Sequence, residues 1–178
     1  MRNLAELLAH PGPLPKFLFF WGHQPRPGGG LGPGCLSQWW PSEFRLDGVT
    51  YSTAEHYMMA EKARLFGDHQ KLAEILASPH PHRAKSLGAQ VAEFDEATWQ
   101  AHRFDIVVRG NLAKFSSQPD LTQFLMATGQ RILVEASPRD RIWGIGLPAD
   151  HPDAAEPARW RGQNLLGFAL MEVRARLA

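Results

Sequence analysis

The dipeptide Asp47-Gly48 constrains this chain more than any other pair of residues. It stands between Phe44-Arg45-Leu46 and Val49-Thr50-Tyr51, and an Asp-Gly pair between apolar residues predicts a type I′ turn, which needs positive φ twice. The resulting two-stranded ribbon feeds straight into Ser52-Thr53-Ala54-Glu55-His56-Tyr57, where helix formers run to Phe66 and Gly67 supplies a C-cap. Glu55 therefore falls in the first turn of a helix, at a strand-to-helix junction of the kind that often faces a cleft. Its structural role would be a capping box, with Ser52 bonding the amide of Glu55 and the Glu55 side chain reaching back.

Around this hinge the pattern predicts a mostly helical chain. Residues 3–9 make a short helix stopped by Pro11-Gly12-Pro13, an appendage over residues 1–15. Lys16–Trp21 reads as a buried strand, and Gln24–Gly34, with five Gly and three Pro, as a loop. Helical patterns cover residues 72–76, 82–88, 97–115 and 121–127, short strands cover Ile132–Glu135 and Arg141–Trp143, and an amphipathic helix over Gly162–Leu177 closes the chain. Segregated strands and helices give an α+β class: one mostly helical domain over residues 16–178 with a small sheet or hairpin.

Charge and cysteine content exclude several functions. The formal net charge is +1, from 19 Lys plus Arg against 18 Asp plus Glu, so nothing sequence-wide grips long nucleic acid, although a single phosphate needs only a local pocket. Cys35 is the one cysteine; it forms no internal disulfide, no Cys/His cluster has zinc spacing, and a reducing, cytoplasmic setting without a metal is expected. No apolar run approaches the roughly 20 residues of a membrane span. Neither a P-loop nor a dinucleotide Gly-rich fingerprint is present, so no cofactor is expected.

The candidate chemistry lies in four places. Lys62 follows Glu55 by seven residues, which puts both on one helix face roughly 10 Å apart along the axis, where opposite charges could bracket a ribose; an ordinary solvated lysine is the alternative. Trp143-Gly144-Ile145-Gly146 offers a stacking plane beside two glycines that let a backbone approach a ligand, or else a core tryptophan and a turn. Gln38-Trp39-Trp40-Pro41 is either a wall for a planar base or a structural aromatic cluster. Asn164 opens the last helix, whose amides could hold phosphate, or it is a local cap.

Taken in order, Gln38-Trp39-Trp40-Pro41, Leu46 through Tyr57, Ala60-Glu61-Lys62-Ala63, Lys114-Phe115, Arg141 through Gly146 and Gly162 through Gly167 resemble the YbiA-like branch of the NADAR superfamily, over about Phe19 to Leu177. Members are single α+β domains that cleave the N-glycosidic bond of ribosylaminouracil phosphates, and relatives remove ADP-ribose from guanine bases. The resemblance implies a ribosyl N-glycosidase whose catalytic acidic position is Glu55, whose helical lysine is Lys62 and whose aromatic wall is Trp143, with Trp99 a second match. Where some members carry Asp two residues after the matching Trp, this chain has Ile145, as another large branch does. Three readings follow: a hydrolase of the phosphoribosylaminouracil intermediates of riboflavin biosynthesis, a glycohydrolase acting on ADP-ribosylated guanine in nucleic acid, and a non-catalytic ADP-ribose or NAD binding module. The near-neutral charge favours a small ribosyl-phosphate partner. Glu55 would stabilise positive charge at the sugar or activate water, and Lys62 would orient hydroxyls, donate a proton or attack C1.

Overall fold

The computed structural model describes residues 1–178. Its elements run α1 (Leu4–Leu8), β1 (Phe17–Phe20), β2 (Phe44–Leu46), β3 (Val49–Tyr51), α2 (Ala54–Leu65), α3 (His69–Leu76), α4 (Pro81–Gly88), α5 (Glu96–Ser117), α6 (Pro119–Ala127), β4 (Ile132–Glu135) and α7 (Leu165–Leu177), with 3-10 turns at Pro33–Leu36 and Pro157–Arg159. This is the expected α+β class: helices predominate over two small sheets. Contacts divide the chain into two compact units, one of residues 38–118 and one of residues 1–37 with 119–178.

The 38–118 unit is built on the predicted hairpin. Asp47 and Gly48 have φ of 51° and 80°, and β2 pairs antiparallel with β3 in the register Phe44↔Tyr51, Leu46↔Val49. Phe44 stacks on Tyr51, and Tyr51 meets the edge of Tyr57 at 5.1 Å between centroids, which joins the ribbon to α2. That helix is the unit's centre, buried almost all round from Ala54 to Ala60 and enclosed by α3, α4 and α5. It carries polar residues at buried positions, so its periodicity reads weakly in the sequence. Gly110 lets α5 approach, since a Cβ there would strike the Tyr57 ring. With Lys62 beside Trp99 at the other end, α2 and α5 run antiparallel.

In the second unit β1 pairs parallel with β4, Phe17↔Ile132 through Phe20↔Glu135. Of the four β1 residues only Phe20 is fully buried and the other three are half-buried, so the strand is less enclosed than its apolar run predicts. Helix α7 packs on β4, α6 packs on α7, and α1 buries Leu7 and touches the turn at Pro157–Arg159. Two sequence expectations are corrected here. Arg141–Trp143 is not a strand: the Asp140 carboxylate accepts from the amides of both Ile142 and Trp143 at 2.8 Å, holding the segment in a turn. The last helix begins at Leu165 rather than Gly162, because the amide of Gln163 donates to the Arg141 carbonyl and Asn164 is left-handed at φ 54°.

Candidate active site

At the start of α2 the capping work is done by Thr53, not by the expected Ser52-Glu55 box. The Thr53 hydroxyl accepts from the amide of His56, while the amide that Ser52 would need, that of Glu55, donates instead to the main-chain carbonyl of Gln38 at 3.0 Å. Ser52 stays exposed and Glu55 is buried, at 3% exposure. Glu55 is thus a buried carboxylate at a position that the helix cap does not require. His56, next in the helix, is structural. Its Nε2–H donates to the carbonyl of Ser78 at 3.1 Å, which leaves Nδ1 to accept from Thr53 at 2.8 Å, and burial holds its pKa below the usual histidine value.

Two turns on, Lys62 is not an ordinary solvated lysine. Its Nζ lies 4.1 Å from the centroid of Phe94 and 5.7 Å from that of Trp99, against aromatic faces. Burial lowers its pKa, opposed in part by the nearby carboxylate of Glu96. Trp99 is itself buried, at 8% exposure, so its indole works as the wall of this amine's pocket.

Gln38 is buried at 6% exposure. Its carbonyl holds Glu55 as described, and its side-chain Oε1 accepts from Asn111 Nδ2 at 2.7 Å. Trp39 is half-buried and meets the edge of His82 at 6.1 Å between centroids. Thus five of the eight expected residues, Gln38, Trp39, Glu55, Lys62 and Trp99, belong to the 38–118 unit. Two more residues join them on α5: Lys114, already part of the motif series, and Asn111, which sequence reasoning did not single out. Asn111 and Lys114 are both fully buried, with Lys114 Nζ 5.0 Å from the Phe115 ring centroid. The signal was present: Trp99, Arg103, Val107, Asn111 and Lys114 recur at helical spacing, so an amide and two cations occupy positions of the buried stripe.

Trp143, Gly144 and Asn164 belong to the other unit. The amides of Arg161, Gln163, Asn164, Leu165 and Leu166 donate to the carbonyls of Ile145, Arg141, Gly144, Ile142 and Trp143, so the two motifs form one interlocked backbone ladder. Gly144 is needed for that packing, since a Cβ would lie 2.9 Å from the Glu135 carbonyl. The side chain of Asn164 clamps β4, its Oδ1 accepting from the amide of Glu135 and its Nδ2 donating to the carbonyl of Leu133, each at 2.9 Å. The amides of residues 164–166 are thereby occupied, and the phosphate expected at this helix start finds no free donors among them. Trp143 remains half-buried with its amide on Asp140, and Ile145 is fully buried.

The model of the NADAR domain matches residues 19–178. An N-glycosidase of Acanthamoeba polyphaga mimivirus is 43% identical over 164 residues, 89% of this chain and 95% of that one. The N-glycosidase YbiA of Escherichia coli is 31% identical over 139 residues, 78% of this chain and 77% of its own. The NMR structure of the E. coli protein YbiA superposes with a TM-score of 0.73 at 26% identity, covering 93% of this chain and 87% of that one. The chloroplastic riboflavin biosynthesis protein PYRR of Zea mays is 30% identical over 156 residues, 81% of this chain but 23% of its own length.

Proposed function

This chain belongs to the NADAR domain family and is a hydrolase acting on N-glycosyl compounds, and from that premise we propose that it cleaves the ribosyl C1–N bond of phosphoribosylaminouracil intermediates of riboflavin biosynthesis, releasing ribose 5-phosphate. The similarity to a protein named for riboflavin biosynthesis supports that substrate class, as does a formal charge of +1, which gives long polyanions no general purchase. The observation that carries the reading is the burial of Glu55 at a helix start capped by another residue.

In the reaction the C1–N bond breaks with its electron pair passing to nitrogen, water adds hydroxide to C1, and a proton passes to the departing base. Positive charge therefore grows on the sugar and negative charge on the base. Glu55 stabilises the first or takes the proton of the attacking water. Lys62, made a stronger acid by desolvation and about 10 Å along the axis from Glu55, supplies the proton at the other end of a nucleoside-sized ligand. Gln38, Trp39 and Trp99 belong to the same unit as this pair. The second unit, taken by itself, holds on the Gly144 ladder the half-buried indole of Trp143, the aromatic wall that the family resemblance implies, and Asn164 fixes that ladder to β4.

The test is release of ribose 5-phosphate from the aminouracil riboside phosphate, followed chromatographically, with Glu55→Gln and an ADP-ribosylated guanine substrate in parallel. We expect Glu55→Gln to reduce turnover by about a thousandfold or more while its melting temperature stays near that of the wild type. Undiminished activity in the variant removes Glu55 from the mechanism, and release only from modified guanine changes the substrate.

A further inference from the structure

Asn111 lies on α5, wholly buried, and no backbone element needs it. Its Nδ2 donates to the carbonyl of Val107 at 2.9 Å and to Gln38 Oε1 at 2.7 Å. Its Oδ1 is buried without a hydrogen-bond partner, so the amide is a poor choice for stability and asks for another explanation. The orientation of the pair follows from the one group that cannot be turned round. A main-chain carbonyl only accepts, so the Asn111 atom facing Val107 is the nitrogen. The same nitrogen faces Gln38, so the Gln38 atom facing it is the oxygen. With its oxygen on Asn111, the Gln38 amide turns its nitrogen, Nε2, away from Asn111 Nδ2. The same residue's main-chain carbonyl holds the amide of Glu55 at 3.0 Å, which ties this amide to the start of α2.

We propose that Asn111 is a positioning residue that fixes the side-chain amide of Gln38, so that its NH2 group is presented as a donor to a hydroxyl oxygen of the ribosyl substrate. Asn111 acts through Gln38 and does not touch the substrate. The inference rests on the N-glycosidase reading and adds to it a mechanism by which a neutral amide, equally able to accept or donate when free, is made a donor only. Fixing it in advance avoids reorganisation when substrate binds.

Two variants test this in the full-length protein. Asn111→Asp sets an acceptor against Gln38 Oε1 and should turn the Gln38 amide over, placing an acceptor where a donor is needed. Gln38→Glu keeps the acceptor toward Asn111, and with it the packing, but presents carboxylate oxygen outward. Gln38→Glu should melt near the wild type and Asn111→Asp, which buries a carboxylate against the Val107 carbonyl, below it; assayed well below their melting temperatures, both should lose about tenfold or more in kcat/KM on the aminouracil riboside phosphate, and in the Gln38→Ala background Asn111→Asp should have no further effect on kcat/KM. Wild-type turnover matched by both variants, or losses that simply multiply in the double variant, overturns the positioning role alone. Absence of wild-type turnover on any N-ribosyl substrate overturns the N-glycosidase reading, and this inference with it.

Discussion

Lys62 shows how burial sets what a single side chain can do. Its lowered pKa means that the folded protein binds the proton of this amine less tightly than the unfolded chain does. Between the folded value and the ordinary lysine value the unfolded state holds more protons, so this group's contribution makes stability rise with pH across that window and level off above it. Lys62→Met removes the effect. The difference in melting temperature between wild type and variant should therefore shift in favour of the wild type as pH rises toward the ordinary lysine value of 10.5; a constant difference would show that the amine is not desolvated. The position of Lys62 relative to Glu55 was legible from the seven-residue spacing, but its aromatic surroundings were not. Phe94 stands 32 residues away in the sequence, outside the helix pattern, and only folding brings its ring under the amine.

At the level of elements, local signals were read well wherever one turn or cap decided the outcome, as at Asp47-Gly48 and at Gly67, both with positive φ. They failed where distant backbone competed. Ser52-x-x-Glu55 satisfies the capping-box pattern, yet the Gln38 carbonyl takes the amide of Glu55 and the cap moves one residue on. Residues 162–164 fit the helical period of α7 but are drawn into the ladder with residues 141–144. The close fit of α7 to β4 depends on Gly167, where a Cβ would run into the carbonyl of Leu133 and the amide of Asn164. Gly167→Ala should cost about 2 kcal/mol or more in urea unfolding, even though alanine favours helix. An unchanged unfolding midpoint would mean that α7 can slide along β4 without loss.

Over the whole molecule the class and the family were legible, because an ordered series of short motifs spans most of the chain. The division into two compact units was not: the 38–118 unit is an internal stretch, and no proline-rich linker or change in composition announces its ends. The near balance of charge has a measurable consequence at this scale. A substrate gripped through one phosphate loses affinity only modestly with salt, so KM should rise less than about fivefold between 50 and 200 mM; a much steeper rise would point to a polyanionic substrate. The ladder between residues 141–145 and 161–166 reaches further still. It clasps both ends of the stretch from Leu147 to Trp160, whose exposed tip includes Ala149, Asp150 and Pro152. A detour pinned at its two feet can lengthen at small entropic expense, so this tip is a natural graft point for a peptide or reporter dye, and a place where descendants of the same ancestor can differ in length while keeping the clasp.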